Sequence, residues 1–211
     1  MRKGEATRER ILDIAEASVL AKGFGATSIE EIIAEAGITK SGFFYHFKDK
    51  NELARALIVR YAQTNDMLFE RLFERAEQLA DGDPLHSLLI GLRMLAEHLE
   101  DLPKGHPGCL VASMVYQERL FDREVRELTA QAVRTWNGFF ETRLRAAAAR
   151  YRPVAEVDLH QLAQSISCVV DGGIIMSRAL DEPRIVIQQL LLLRAHLRML
   201  FDPAVPVRRA A

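Results

Sequence analysis

The residues best suited to bind another molecule are concentrated between Gly37 and Lys50, in the stretch GITKSGFFYHFKDK. Four of its fourteen residues are aromatic and three are lysines. Aromatic side chains at this density are typical of a hydrophobic core, a cofactor-binding box or a stacking platform, while lysine ammonium groups bind phosphate. Because the whole chain carries a formal net charge of −1, any contact with nucleic acid must be local.

Helical geometry separates these aromatic residues into two groups. At 100° per residue, Phe43 and Phe47 share one face of a helix, and Ser41 and Tyr45 share the opposite face. We therefore predict that the two phenylalanines pack against a neighbouring helix, while Tyr45 points outward with Phe44 beside it.

The neighbours of Tyr45 favour DNA as the molecule that this face binds. Gly42 inside a helix costs about 1 kcal/mol relative to alanine, which indicates that another group approaches it closely. Lys40 and Lys50 lie at the two ends of the face, where their charges can contact phosphates. The groups of Ser41 and Tyr45 suit contacts with base edges.

Three short helices are predicted to position this face. The first ends at Gly23, and a capping-box pattern of Ser28 and Glu31 starts the second, which ends at Gly37. The third covers residues 39–46. Two short helices joined at a glycine are typical of a helix-turn-helix, whose second helix enters the major groove, and the amides that follow Ser28 would face a phosphate.

The rest of the chain is also predicted to be helical, which gives an all-α fold. A second capping pattern, Asp49 with Glu52, starts a long helix that runs toward Leu79. Glycine and proline breaks delimit further helices at roughly 84–100, 108–118, 121–149, 156–180 and 184–201. The predicted organisation is a helix-turn-helix DNA-binding domain at 1–49, a ligand-binding and dimerisation domain at 50–203 and a tail at 204–211.

Composition indicates a folded cytoplasmic protein. The chain is 49% hydrophobic and 27% charged, and no apolar run approaches the roughly 18 residues of a membrane span. The N-terminal residues lack the apolar segment of a signal peptide. Two cysteines, Cys109 and Cys168, are too few for a disulfide framework, so we expect reduced thiols.

Residues 26–54, ATSIEEIIAEAGITKSGFFYHFKDKNELA, resemble the N-terminal signature of the TetR family of bacterial transcriptional repressors. The shared features are a Thr/Ser helix start, Ala-Gly at the turn, a Thr-Lys opening, the aromatic run FFYHF and a lysine before the long helix. The resemblance implies that a homodimer binds a palindromic double-stranded DNA operator and is released by a small-molecule effector. It also implies DNA contacts from eight residues: Ser28, Thr39, Lys40, Ser41, Gly42, Tyr45, His46 and Lys50.

Three positions depart from the family pattern. Ile33 stands where the family usually has alanine, which predicts slightly wider spacing of the two helices. The order Ser41-Gly42 is the reverse of the commoner Gly-Ser/Thr. Phe44 occupies the position of a phosphate-binding tyrosine and has no hydroxyl to donate, so we expect it to serve as an apolar groove contact or a packing residue.

The C-terminal helices predict the dimer. Residues 184–201 are apolar nearly all round, so this helix must bury two sides. We predict that one side packs against its own core. The other side, together with helix 156–180, is predicted to form a twofold interface with a partner. A fully internal helix in a monomer is the alternative. Gly172 and Gly173 indicate either a close helix approach or local freedom.

Candidate ligand contacts lie in the helices that follow residue 84. Apolar walls with a few polar groups are typical of small-molecule sites, although each residue of this kind is individually more often core. The predicted set is Met94, His98, Cys109, Met114, Tyr116, Trp136, Phe140, Cys168 and Asp171.

Other functions compete with ligand-controlled DNA binding. Cys109 starts a predicted helix, whose dipole would lower its thiol pKa, and this pattern allows a redox or electrophile sensor. His106 precedes it by three residues, but no further ligands complete a metal site. The sequence contains no glycine-rich phosphate loop and no catalytic cluster, so it predicts neither a cofactor nor an enzyme. A helical interaction module is a third candidate class of function.

Overall fold

The computed structural model describes residues 3–201, and within that range every regular element is a helix. The predicted all-α class is confirmed, and the predicted tail at 204–211 lies outside the described residues. One 3₁₀ turn, Glu118–Leu120, stands among the α-helices. The α-helices are α1 (Lys3–Lys22), α2 (Ile29–Ala36), α3 (Lys40–His46), α4 (Lys50–Leu79), α5 (Pro84–Glu100), α6 (Leu110–Val115), α7 (Arg123–Arg150), α8 (Leu159–Leu180) and α9 (Arg184–Phe201).

Two predicted boundaries differ by three residues from those observed. The predicted helix 108–118 is only six residues long, because Gln117 leaves the helical region with φ −122° and ψ 27°. Helix α8 begins at Leu159, three residues later than the predicted position 156, because the Asp158 carboxylate caps it and accepts the N–H groups of His160 and Gln161.

Packing divides the chain into two units. The first contains the chain up to Thr64 together with Pro107–Ala132, and the second contains Asn65–His106 together with the chain from Val133 onward. The first unit therefore includes the predicted DNA-binding segment 1–49 and a second stretch that is distant in sequence. Helices α4 and α7 each cross from one unit into the other without a break.

The core of the first unit includes two phenylalanines of the α3 segment. Phe43 and Phe47 are 0% and 1% exposed, and their ring centroids lie 5.8 Å apart, which confirms the predicted buried pair. On the rim of this core, the Arg60 guanidinium of α4 binds three carboxylates of α1. These are Glu9 at 3.3 Å, Asp13 at 2.7 Å and Glu16 at 2.7 Å.

Close helix contacts in the second unit depend on two glycines. A methyl group at Gly91 of α5 would overlap the ring of Phe73 of α4, so the ring packs directly on the helix backbone. A methyl group at Gly173 of α8 would lie 2.8 Å from the Cα atom of Val186 in α9, whereas one at Gly172 would meet nothing within 4 Å. Of the two adjacent glycines, Gly173 therefore marks a close helix approach.

Replacement of Gly173 by alanine should destabilise the protein. The new methyl group meets backbone, which cannot rotate away, so α8 and α9 must separate and the free energy of unfolding should fall by about 1–3 kcal/mol. Gly138→Ala is the matched control, because this exposed α7 position has open space and alanine should raise stability by up to about 1 kcal/mol. Chemical denaturation at one protein concentration measures the free energy of unfolding of both variants. Equal stability of Gly173→Ala and the wild type would contradict the close approach of α8 and α9.

A buried hydrogen-bond cluster joins the start of α5 to the end of α7. The Asp83 carboxylate caps α5, accepting the N–H groups of Leu85 and His86, and also accepts the hydroxyl of Tyr151. Burial raises the pKa of Asp83, but the His86 N–H, the Tyr151 hydroxyl and the charges of His86 and Arg150 outweigh it, so the net pKa is lowered. The same hydrogen bond raises the pKa of Tyr151.

Tyr151→Phe should lower the free energy of unfolding by about 1–3 kcal/mol at neutral pH, because it leaves buried Asp83 with one donor fewer. A carboxylate whose pKa is lowered by folding stabilises the native state above its unfolded pKa of about 4 and loses that contribution as the pH falls. The variant should therefore lose less stability than the wild type between pH 5 and about pH 2. Tyr45→Phe, which removes an exposed hydroxyl, is the control and should behave as wild type.

Candidate nucleic-acid interface

Local hydrogen bonds determine where α2 begins and ends. Ser28 Oγ accepts the N–H of Glu31 at 3.1 Å, and the Glu31 carboxylate accepts the N–H of Ser28 at 3.3 Å, which confirms the predicted capping box. Gly37 ends the helix in the left-handed conformation with φ 61°, a geometry that favours glycine. Next, the Ile38 N–H reaches back to the carbonyl of Ile33, which fixes the turn toward α3.

Thr39 starts α3 and explains the glycine that follows it. Its Oγ1 accepts the N–H of Gly42 at 3.1 Å and forms a hydrogen bond with the Ser41 hydroxyl at 3.0 Å. A methyl group at Gly42 would lie 3.3 Å from Thr39 Oγ1. The group that closely approaches Gly42 is therefore the side chain of Thr39, in the same chain.

The outward face of α3 carries an exposed tyrosine. Tyr45 is 83% exposed, and its ring meets that of His46 edge-on at 5.0 Å. Phe44 is 40% exposed and contacts the ring of Phe43 edge-on at 5.4 Å, so it is both a surface and a packing residue. Lys40 is also exposed, and the α3 face therefore combines an aromatic hydroxyl with a positive charge.

Lys50 is held by a contact that the sequence did not predict. Its Nζ donates to the Phe24 carbonyl at 2.8 Å and lies 4.7 Å from the centroid of the Phe24 ring. Partial burial lowers the pKa of Lys50 below its usual value. An ammonium group has three N–H donors, and the bond to Phe24 uses one of them.

All eight predicted DNA contacts belong to the first unit. Four of them are exposed: Thr39, Lys40, Ser41 and Tyr45. The other four are partly exposed: Ser28, Gly42, His46 and Lys50.

The sequence did not reveal a set of contacts that supports this interface. Gln117 and Phe121, which follow α6, contact the turn between α1 and α2 at Gly25 and Phe24. Ninety-two positions separate Gly25 from Gln117, and no periodicity links residues so far apart. A glycine on each side of Phe24 was the only available sign that another segment approaches this turn closely.

The predicted ligand contacts are divided between the two units. Cys109, Met114 and Tyr116 belong to the first unit and the other six to the second. Cys109 is buried and caps α6, its Sγ accepting the Ala112 N–H at 3.5 Å. Met114 is buried, whereas Tyr116 is 79% exposed.

Two of the second-unit candidates are buried aromatic residues, Trp136 and Phe140. The Phe140 ring packs with Phe69, Phe73 and Phe139 at centroid distances of 5.3–5.9 Å. Burial and the charge of Glu70 raise the pKa of Asp66, against an opposing effect of the nearby Trp136. The remaining candidates are Met94, His98 and Asp171, which are half-buried, and Cys168, which is exposed.

His106 lies near two other basic side chains, those of His98 and Arg178. Burial first, and then the charges of His98 and Arg178, lower the pKa of His106 to about 4. His106 is therefore neutral at physiological pH. Across residues 3–201, no three side chains form a group able to hold a metal ion, and no helix is both long and apolar enough to cross a bilayer.

The two short capped helices, the exposed α3 face and the all-helical second unit define a helix-turn-helix DNA-binding protein. The family model described as bacterial regulatory proteins, tetR family, matches residues 11–57. The model described as tetracyclin repressor-like, C-terminal domain, matches residues 90–189. The chain belongs to the TetR family of DNA-binding transcriptional regulators.

Relatives and solved structures agree with this assignment. The chain is 25% identical over 175 residues to the HTH-type transcriptional regulator YxaF of Bacillus subtilis, covering 81% of this chain and 84% of that protein. It is 24% identical over 173 residues to the HTH-type transcriptional regulator TtgR of Pseudomonas putida, covering 81% and 79%. A TetR-family regulator from Agrobacterium tumefaciens has the same fold, with a TM-score of 0.76, 19% identity and coverage of 94% of this chain and 100% of that one.

Proposed function

We propose that this regulator is a repressor that binds a palindromic operator as a homodimer and leaves it when a small-molecule effector binds. The observation that carries the DNA-binding part is the outward face of α3, where Tyr45 is 83% exposed between Lys40 and Lys50. An exposed aromatic side chain on a capped helix is suited to contact base edges in the major groove. The lysines are suited to contact the flanking phosphates.

Exposed apolar side chains on α8 and α9 support a dimer. Six large hydrophobic residues on these helices are 40–64% exposed, and exposed apolar side chains of this kind favour association. A second copy is the proposed occupant, since TetR regulators usually form dimers and a twofold dimer presents two recognition helices to a palindrome. The residues are Ile175, Met176, Leu180, Leu191, Leu192 and Met199.

The proposed effector site lies in the second unit. Six of the predicted ligand residues belong to it, with aromatic groups beside a few polar ones, as small-molecule sites require. The residues are Met94, His98, Trp136, Phe140, Cys168 and Asp171.

Helix α4 supplies a continuous connection for the response. It runs unbroken from Lys50 to Phe73 and beyond, and Phe73 packs on the backbone of Gly91. An effector that binds one arrangement of the second unit more tightly would shift the population of α4 positions, and with it the spacing of the two recognition helices.

The alternatives find less support. A sensor thiol needs access to its oxidant, whereas Cys109 is 6% exposed and its sulfur accepts a backbone N–H. The relatives and the fold belong to transcriptional regulators, so an enzyme is likewise not favoured.

Selection of bound duplexes from random DNA tests the proposed function. The wild-type protein should enrich a palindrome whose half-site centres are one helical turn, or a multiple of it, apart. Tyr45→Ala should change which bases are enriched, because Tyr45 is assigned to base edges. Tyr116→Ala, which removes another exposed tyrosine, should enrich the wild-type sequence. Enrichment of a single half-site would contradict the dimeric operator, and an unchanged Tyr45→Ala motif would contradict base reading.

Lys50→Ala should weaken binding to every DNA sequence by a similar factor and reduce the slope of log K against log salt by about 1. The reason is that the variant lacks one phosphate contact. Such a contact releases counterions when it forms and does not read bases. Binding is measured by fluorescence anisotropy at several salt concentrations, with the unfolding curve as a check on folding. Lys104→Ala, an exposed lysine of the second unit, is the control; identical slopes for Lys50→Ala and wild type would remove Lys50 from the interface.

A further inference from the structure

We propose that Gln117 and Phe121 are positioning residues for DNA binding: they hold the turn that leads into α2 and α3. The inference rests on the proposed docking of these helices on DNA. Neither residue is assigned to a contact with DNA itself. The segment 117–122, called the clamp below, contacts the turn before α2 and the first turns of α4 after α3.

Gln117 lies against the backbone of the turn between α1 and α2. Its Oε1 accepts the Gly25 N–H at 2.8 Å. A methyl group at Gly23 would lie 2.6 Å from Gln117 Nε2, and one at Gly25 would lie 3.2 Å from a methyl carbon of Leu120. The two glycines therefore provide the room that the clamp occupies, and Gly23, with φ +83°, also has a conformation that disfavours other residues.

Phe121 connects the same turn to Lys50. The rings of Phe121 and Phe24 are both buried and their centroids lie 4.7 Å apart. The Lys50 ammonium binds the carbonyl of Phe24 and lies over its ring. The position of a proposed phosphate contact thus depends on Phe24, whose own position depends on Phe121.

The other end of the clamp holds the start of α4. The Asp122 N–H reaches the Asn51 side-chain oxygen at 3.4 Å, and the Asp122 carboxylate accepts from Arg55 Nη1 at 2.7 Å. A hydrogen bond from the Val125 N–H, with the Arg55 charge and hydrogen bond, lowers the pKa of Asp122 against the opposing effect of burial. The carboxylate therefore stays charged and paired at neutral pH.

Contacts at both ends restrict how the intervening helices can move. Residues 25–51 contain α2, α3 and all eight proposed DNA contacts, and the clamp joins Gly25 at one end to Asn51 at the other. A binding surface that is already ordered loses less conformational entropy when it meets its ligand. Loss of the clamp should therefore weaken DNA binding even when the protein stays folded. Local unfolding is not expected, because the turn has its own bond from Thr27 Oγ1 to the Gly23 carbonyl.

The test measures affinity for the highest-affinity duplex recovered by selection, at a temperature where circular dichroism shows every variant folded. Gln117→Ala and Gln117→Met, which keeps the volume but not the acceptor, should each weaken binding about three- to tenfold. Phe121→Leu is a second, conservative variant that should act in the same direction. Glu127→Ala, at an exposed position of α7 outside the clamp, should stay within twofold of wild type.

Double variants separate positioning from a general loss of structure. Gln117→Ala should have a smaller effect in the Lys50→Ala background, because the clamp acts in part through Phe24 and Lys50. Its effect should remain full in the Lys40→Ala background. Wild-type affinity of folded Gln117→Ala, or equal losses in both backgrounds, would overturn the proposal.

These outcomes are distinct from failure of the proposed function. If the wild-type protein enriches no DNA, docking of α2 and α3 is wrong and the clamp cannot be a positioning device for it. If the wild type enriches a palindrome and Lys50→Ala weakens DNA binding, but Gln117→Ala does not, only the clamp assignment fails.

Discussion

The DNA-binding helices depend on burial of two phenylalanines. Helices α2 and α3 have only eight and seven residues, too few to be stable alone in water. Phe43 and Phe47 are almost fully buried in the core of the first unit, and this burial, with the caps at Ser28 and Thr39, holds the two helices in place. Tyr45 is presented outward because residues two positions before and after it are fixed inward.

A second constraint acts at the ends of this segment. The turn at Gly23–Gly25 packs against groups that arrive from residues 117–121 and from Lys50. Contacts made by a distant part of the chain can thereby influence a surface that they do not touch. In the second unit, glycines have the same use: Gly91 and Gly173 let helices approach until a side chain or a backbone fills the space.

Local sequence signals predicted the helix-turn-helix segment in detail. The capping box of Ser28 and Glu31, the helix end at Gly37 and the inward pair of phenylalanines were all correct, because each follows from bonds or spacings within a few residues. The start of α8 was predicted less well, since Asp158 was not recognised as its cap. The closeness of Gln117 to Gly25 gave no local signal at all.

The sequence by itself determined the helical class, the helix-turn-helix and the identity of the side chains on its outward face, because helical periodicity and capping chemistry are properties of neighbouring residues. Only the tertiary structure decided that Lys50 binds the Phe24 carbonyl, that Gln117 contacts the turn at Gly25, and that Gly173 rather than Gly172 meets another helix. The physical reason is that those contacts depend on how helices pack, and packing partners are chosen by shape over the whole chain rather than by spacing along it.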